Sequence, residues 1–139
     1  MRVKSDRITF DTRGNASVDN LTGPVAEAVR RSGLKDGTVT LFTPSATSAL
    51  TTLEFEPGCV ADLRSCLEEV APSRRAWAHN ERWGDGNGHS HLRAALLGAS
   101  LSVPFRDGRL TLGTWQQIVF VDFDTRPRRR EIVVQILGE

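Results

Sequence analysis

The chain has two cysteines, three histidines, no apolar run long enough to span a membrane and a formal net charge of +1 over 139 residues. Each shortage removes a class of protein. Cys59 and Cys66 stand seven residues apart on one expected helix, so their Cα atoms lie roughly 10 Å apart, beyond the reach of an internal disulfide. They read as small, buried thiols. The near-neutral balance argues against a general binder of nucleic acid or membrane surfaces, so an anionic ligand has to be met by a local patch. The opening MRVKSDRITF alternates in polarity and lacks the apolar centre of a signal peptide, which makes the cytoplasm the expected compartment. A chain of this size can bury a core without a staple, so a metal would serve function rather than folding.

Val3, Ile8 and Phe10 sit among polar neighbours, and residues 2–11 read as an outer strand. Thr22 is placed to cap a helix over about 23–32, with Pro24 in its first turn, Leu21, Val25 and Val29 as its apolar stripe and Gly33 as its stop. TVTLFT and TSALTTLEF are two strands, interrupted by Pro44-Ser45-Ala46. After Pro57-Gly58, the residues Val60, Leu63, Leu67 and Val70 repeat with a helical period until Pro72. Residues 72–88 show little periodicity and read as one long loop; His91, Leu92, Ala95 and Leu96 then start a short helix that Gly98 stops.

The runs SLSVPF, RLTL, QQIVFVDF and EIVVQIL read as a meander of antiparallel strands. Residues 118–121 and 132–134 are continuously apolar, which implies strands covered on both faces, by helices on one side and a partner subunit on the other. No repeat or linker interrupts the pattern, so residues 1–139 are expected to form a single α+β domain.

All three histidines fall between positions 79 and 91, around the stretch GDGNGHSH (84–91). In His89-Ser90-His91 both rings can face one side of an extended segment. Neutral imidazoles are common zinc ligands, and three of them leave a fourth position open for water or substrate. The plainer alternative has these rings capping the following helix or bonding loop carbonyls. Asn87 and the loop glycines, Gly88 among them, offer bare backbone to an anion. Glu54 and Glu56 share a face at a strand end, where Glu54 can supply a ligand or base and Glu56 reads as solvated. Asp62 suits the first turn of its helix whatever else it does. Arg126, Arg128, Arg129 and Arg130 flank Pro127 in an expected hairpin turn, where solvation is the plainer reading and phosphate binding the functional one. Trp115 and Gln116 follow a Gly-Thr turn and can line a pocket as an aromatic wall and an amide.

SLSVPFRDGRLTLGTWQQIVFVDFD, followed by RPRRREIVVQILGE, resembles the C-terminal signature of the YjbQ-like family, described as secondary thiamine-phosphate synthases. TSALTTLEFEPG and AHNERWGDGNGHSHLRAALLGASL extend the likeness, which covers roughly residues 38–139. The resemblance implies an antiparallel β-sheet sandwich packed with helices, a homotrimer with pockets near subunit contacts, and site residues Glu54, His79, Asn87, His91 and Gln116. The family's Pro-His-Thr is Pro44-Ser45-Ala46 here, so its first histidine is missing and His89 stands to replace it.

The expected function is therefore a small trimeric enzyme acting on phosphorylated small molecules. By resemblance, it joins an aminopyrimidine diphosphate to a thiazole phosphate and releases diphosphate. Glu54, His79, His91 and Gln116 are the catalytic candidates, and Asn87, Gly88, Trp115 and Arg128 the ligand-binding ones. His79, His89 and His91 are expected around a divalent metal, zinc ahead of magnesium. The alternative is a non-catalytic trimeric module that binds a phosphometabolite or a protein. Nucleic acid and membrane are not expected partners.

Overall fold

A computed structural model describes residues 1–139. In chain order the elements are β1 (Arg2–Thr12), β2 (Ser17–Asn20), α1 (Thr22–Ser32), β3 (Gly37–Phe42), β4 (Ser48–Leu53), α2 (Pro57–Val70), α3 (Ala78–Trp83), α4 (Gly88–Leu97), β5 (Ser100–Arg106), β6 (Arg109–Leu110), β7 (Gln117–Asp122) and β8 (Arg128–Gly138). They build an α+β fold of two antiparallel sheets, one of five strands in the order β1-β8-β3-β5-β6 and one of three in the order β2-β7-β4. No helix is long and apolar enough to cross a membrane.

The C-terminal strands are not the simple meander expected. β7 and β8 belong to different sheets, and residues 123–127 carry the chain from one to the other. TVTLFT and TSALTTLEF separate in the same way, with β3 in the large sheet, β4 in the small one and residues 43–47 crossing between them. A third crossing, residues 13–16, joins β1 to β2. The three crossings are bonded together: Phe123 N–H donates to the Thr47 carbonyl at 2.9 Å, and Asn15 and Ala16 N–H donate to the carbonyls of Asp124 and Asp122 at 2.6 and 2.8 Å. Asn15 and Ala16 both adopt left-handed φ values, 53° and 65°, which side chains other than glycine rarely do.

β7 runs through the centre of the core. Ile118 and Phe120 point between the sheets, where Phe120 meets Phe10 edge-on at 4.9 Å. Val119 and Val121 face the opposite way, against Leu67 of α2 and Ala94 of α4. Cover on both faces was expected for this strand, by helices on one side and a partner subunit on the other; the helices are there, and the other cover is the chain's own large sheet, not a partner subunit. β8 differs: Ile132, Val134 and Ile136 are buried, while Val133 and Gln135 are half-buried and Leu137 exposed.

Local chemistry explains the helix ends. Leu21, not Thr22, takes the N-cap of α1; the Thr22 hydroxyl instead accepts the Ile118 N–H at 2.8 Å and ties the helix to β7. Glu56 caps α2 by accepting from Gly58 and Cys59 N–H at 2.7 Å each, so it is a helix cap rather than a free strand end. Within the expected loop of 72–88 lies α3, six residues with no buried position. It shows no apolar period because it has no apolar face to bury.

Phe120→Ala is expected to cost about 3–5 kcal/mol, the range for a large aromatic lost from a packed core. Phe42→Ala, at a side chain 45% exposed, should cost under ~1 kcal/mol. Chemical denaturation of the two variants checks both values.

Candidate functional site

The crossings enclose a polar cleft of about 460 Å³. Residues 44–47 form one wall, α3 and the start of α4 the other, and Asp124 of the 123–127 crossing with the start of β8 the floor. Two carboxylates hold the floor arginines, Asp124 in the lining and Asp122 buried behind Arg130. Asp122 is fully buried: one oxygen accepts from the Thr12 hydroxyl at 2.6 Å and Arg130 Nε at 2.7 Å, the other from Arg130 Nη2 and the Asp124 N–H, both at 3.0 Å. Asp124, 2% exposed, accepts from Arg128 Nη2 at 2.6 Å, Arg128 Nε at 3.1 Å, the Thr47 hydroxyl at 3.2 Å and the Thr125 N–H at 2.8 Å. Burial pushes the Asp124 pKa up, but the bonds from Arg128 and the Thr125 amide outweigh it and hold the carboxyl at about 2. The Thr47 hydroxyl also accepts from Arg130 Nη2 at 2.9 Å, which locks the 43–47 crossing to β8.

His79 of α3 and His91 of α4 line the opposite wall with ring centroids 4.4 Å apart. His79 Nδ1 is buried without a hydrogen bond and lies 3.5 Å from an Asp85 oxygen. The Asn87 side chain stands between two acids. Its amide reaches the Asp85 oxygens at 3.0 and 3.2 Å in one orientation and an Asp124 oxygen at 3.5 Å in the other. α4 is fixed to the floor by the Ser90 hydroxyl, which donates to the Phe123 carbonyl.

Of the residues expected to act together, the structure joins His79, His91, Asn87 and Arg128 in this cleft. His89 is not with them. It lies under α4, 6% exposed, one turn from Arg93, and burial followed by the Arg93 charge lowers its pKa. Alternation along an extended segment was the wrong geometry for His89 and His91, because residues 88–97 are helical and neighbouring odd positions diverge by roughly 200°. The Arg93 guanidinium donates to the Ala71 carbonyl at 3.0 Å and to Glu68 at 2.6 Å, bracing α4 against the end of α2. No three His, Cys, Asp or Glu side chains converge as a metal cage, so the residues do not fit the three-imidazole site expected. Gly88 also has a packing role: a Cβ there would come within 2.6 Å of Trp77 Cβ.

Glu54, Trp115 and Gln116 lie at the far end of the small sheet. Ser48 pairs with Asp122 at the cleft end and Leu53 with Gln117 at the other, five residues on, or about 17 Å. Gln116 is occupied there, donating to the Thr52 hydroxyl at 3.1 Å and accepting the Gly113 N–H at 3.0 Å. Residue reading missed Asp85, Asp122, Asp124 and Thr47. The one signal was VDFDT: two acids alternating inside an apolar strand, where an unpaired charge is costly. The arginine turn divides likewise. Arg126 and Arg129 are exposed, whereas Arg128 and Arg130 turn inward onto the two aspartates.

A two-sheet antiparallel α+β domain with a histidine-, aspartate- and arginine-lined cleft at its sheet crossings defines the class. The sequence model described as "UPF0047 protein YjbQ-like" matches residues 6–139. The chain belongs to that family. It is 36% identical to a UPF0047 protein of Archaeoglobus fulgidus, over 94% of this chain and 98% of the relative. It is 32% identical to the UPF0047 protein YugU of Bacillus subtilis, over 91% and 93%. Among solved structures it resembles a protein of Sulfolobus solfataricus, described as of unknown function, with a TM-score of 0.94 and 36% identity over 99% of both chains. A hypothetical protein of Aeropyrum pernix superposes with a TM-score of 0.90 at 33% identity, covering 98% of this chain and 99% of that one.

Arg130→Ala should destabilise the protein by about 3–5 kcal/mol, because it strands a fully buried carboxylate. Arg129→Ala, at an exposed pair, should cost under ~1 kcal/mol. Urea unfolding at pH 7 separates them. Asp124 also predicts acid sensitivity. Its folded pKa lies below the unfolded value, so its stabilisation is complete above roughly pH 4–5 and is lost as pH falls toward 2. A melting-temperature profile over that window should be shallower for Asp124→Asn than for wild type.

Proposed function

We propose that the cleft binds the phosphate of a phosphorylated small molecule and that the protein is a small enzyme. In this reading it joins an aminopyrimidine diphosphate to a thiazole phosphate, forming thiamine phosphate and releasing diphosphate. The observation that carries the reading is the doubly anchored arginine pair. Arg128 and Arg130 use Nε and Nη2 on the buried aspartates, leaving Nη1 of each without a protein hydrogen bond beside the cleft. A guanidinium fixed in this way meets phosphate with little further loss of freedom.

The chemistry asks the chain to hold the departing diphosphate as the pyrimidine methylene loses its C–O bond and the thiazole nitrogen takes its place. Arg128 and Arg130 supply charge where charge develops on the leaving oxygens. His91 and His79 supply protons to those oxygens, with an Asp85 oxygen 3.5 Å from His79 Nδ1. Trp83, 65% exposed at the cleft, is a flat wall for the heterocycle.

The working unit in this reading is a homotrimer. Support comes from the separation of Glu54, Trp115 and Gln116 from the histidines within one chain, and from Trp115 being 74% exposed. A second copy would bring them to the cleft.

Calorimetry with inorganic diphosphate should show binding that Arg128→Gln weakens tenfold or more. His91→Ala should retain binding while slowing thiamine phosphate formation by about 10²–10⁴-fold. Diphosphate binding without turnover by wild type would move the conclusion to a non-catalytic phosphometabolite-binding module. Absence of both would remove the phosphate reading. Light scattering that gives a monomer at working concentration would remove the trimer.

A further inference from the structure

A second cavity, larger than the histidine cleft, lies elsewhere on the molecule. A groove of about 700 Å³ runs between α1 and the β5–β6 hairpin, a volume within the usual range of small-molecule sites. Leu34, Leu110 and Leu112 give it an apolar floor.

Two glycines in its walls leave open space where a side chain would stand. Gly23 lies in the first turn of α1, outside the left-handed region, and a Cβ built on it meets nothing within 4 Å. It directly precedes Pro24, where the absence of a Cβ also eases the helical turn. Gly113 is also outside the left-handed region, and its Cβ would come no closer than 3.6 Å to Gln116, an ordinary contact. Gly14 and Gly37 are different, since a Cβ there would collide with the backbone of Arg126 and Leu137. What a side chain at Gly23 or Gly113 would occupy is the groove itself.

The rim is charged unevenly. Glu27 is held by Arg30 and Arg31, whereas Lys35 and Arg109 have no carboxylate within salt-bridge reach. Asp107 is the single free acid opposing them. Two free cations over a leucine floor complement an apolar molecule with an acidic end.

We propose that this groove is a second ligand site, separate from the histidine cleft, for a small molecule with an apolar body and one acidic group. The probe is 8-anilinonaphthalene-1-sulfonate, titrated by fluorescence into folded protein whose near-UV circular dichroism is followed in parallel. One saturable site per chain is expected, weakened tenfold or more by Gly23→Leu and by Arg109→Glu and unchanged by Arg128→Gln. Gly23→Ala, which adds one methyl group, should weaken binding less than Gly23→Leu does, and Arg109→Glu leaves the first turn of α1 untouched, so a folding failure of the larger variant leaves the test intact. Absence of saturable binding, equal affinity in the groove variants, or dye response only where the near-UV signal is lost would overturn the proposal. A drop in oligomer mass in Gly23→Leu at unchanged dye affinity would overturn it too, making the groove a contact between copies.

Discussion

Asp122 has no solvent contact, and an ionised carboxylate in that position is tolerable only because Arg130, Thr12 and the Asp124 amide satisfy both its oxygens. Those partners come from β8, β1 and the 123–127 crossing. With Thr47 and Asp124 the same network takes in the 43–47 crossing. A pair of buried acids thus fixes the relative position of the two sheets at one end of the molecule. Replacing such a network with apolar residues can leave a protein equally stable, so stability alone is a thin reason for it. Its other product is a pair of guanidinium groups held rigidly at the base of an open cleft.

The apolar layers serve the same placement. Phe120 faces the core between the sheets and Val121 faces the helices, so β7 is gripped from both sides just before Asp122. On the helix side, Ser90 bonds the Phe123 carbonyl and Arg93 bonds Glu68 and the Ala71 carbonyl. α4 is thereby fixed at two points three residues apart, and His91 lies between them. The Glu68 carboxyl is pulled down to about 2, first by the Ser73 amide and then by Arg93.

The elements with one apolar stripe, such as α1 with Val25 and Val29, were legible in the sequence because a single periodicity decides them. α3 was not, having no buried face. Nor was the division of strands between two sheets, because alternation reports which residues are buried and is silent on which strand is the neighbour. The likeness in GTWQ and the His-containing segment pointed to the right family. Within the cleft, His79, His91, Asn87 and Arg128 could be named from the chain. Asp122 and Asp124 hid inside an apolar run, and His89 was misplaced because two rings on alternate residues converge on a strand and diverge on a helix.

β8 occupies the interior of the large sheet, paired with β1 along one edge and β3 along the other, with Arg2 opposite Gly138. It also carries Arg128 and Arg130. As the chain leaves a ribosome, β1 and β3 have no shared neighbour, and Asp122 and Asp124 no counter-charge, until β8 has been made. The cleft therefore cannot precede β8, and a chain stopped before residue 128 would hold two bare acids where the folded protein holds its arginines. Assembly of the sheet and assembly of the site become one event. The strand that brings each arginine four or eight residues beyond its aspartate also pairs with β1, more than a hundred residues away in sequence, and such distant pairing is the slow kind.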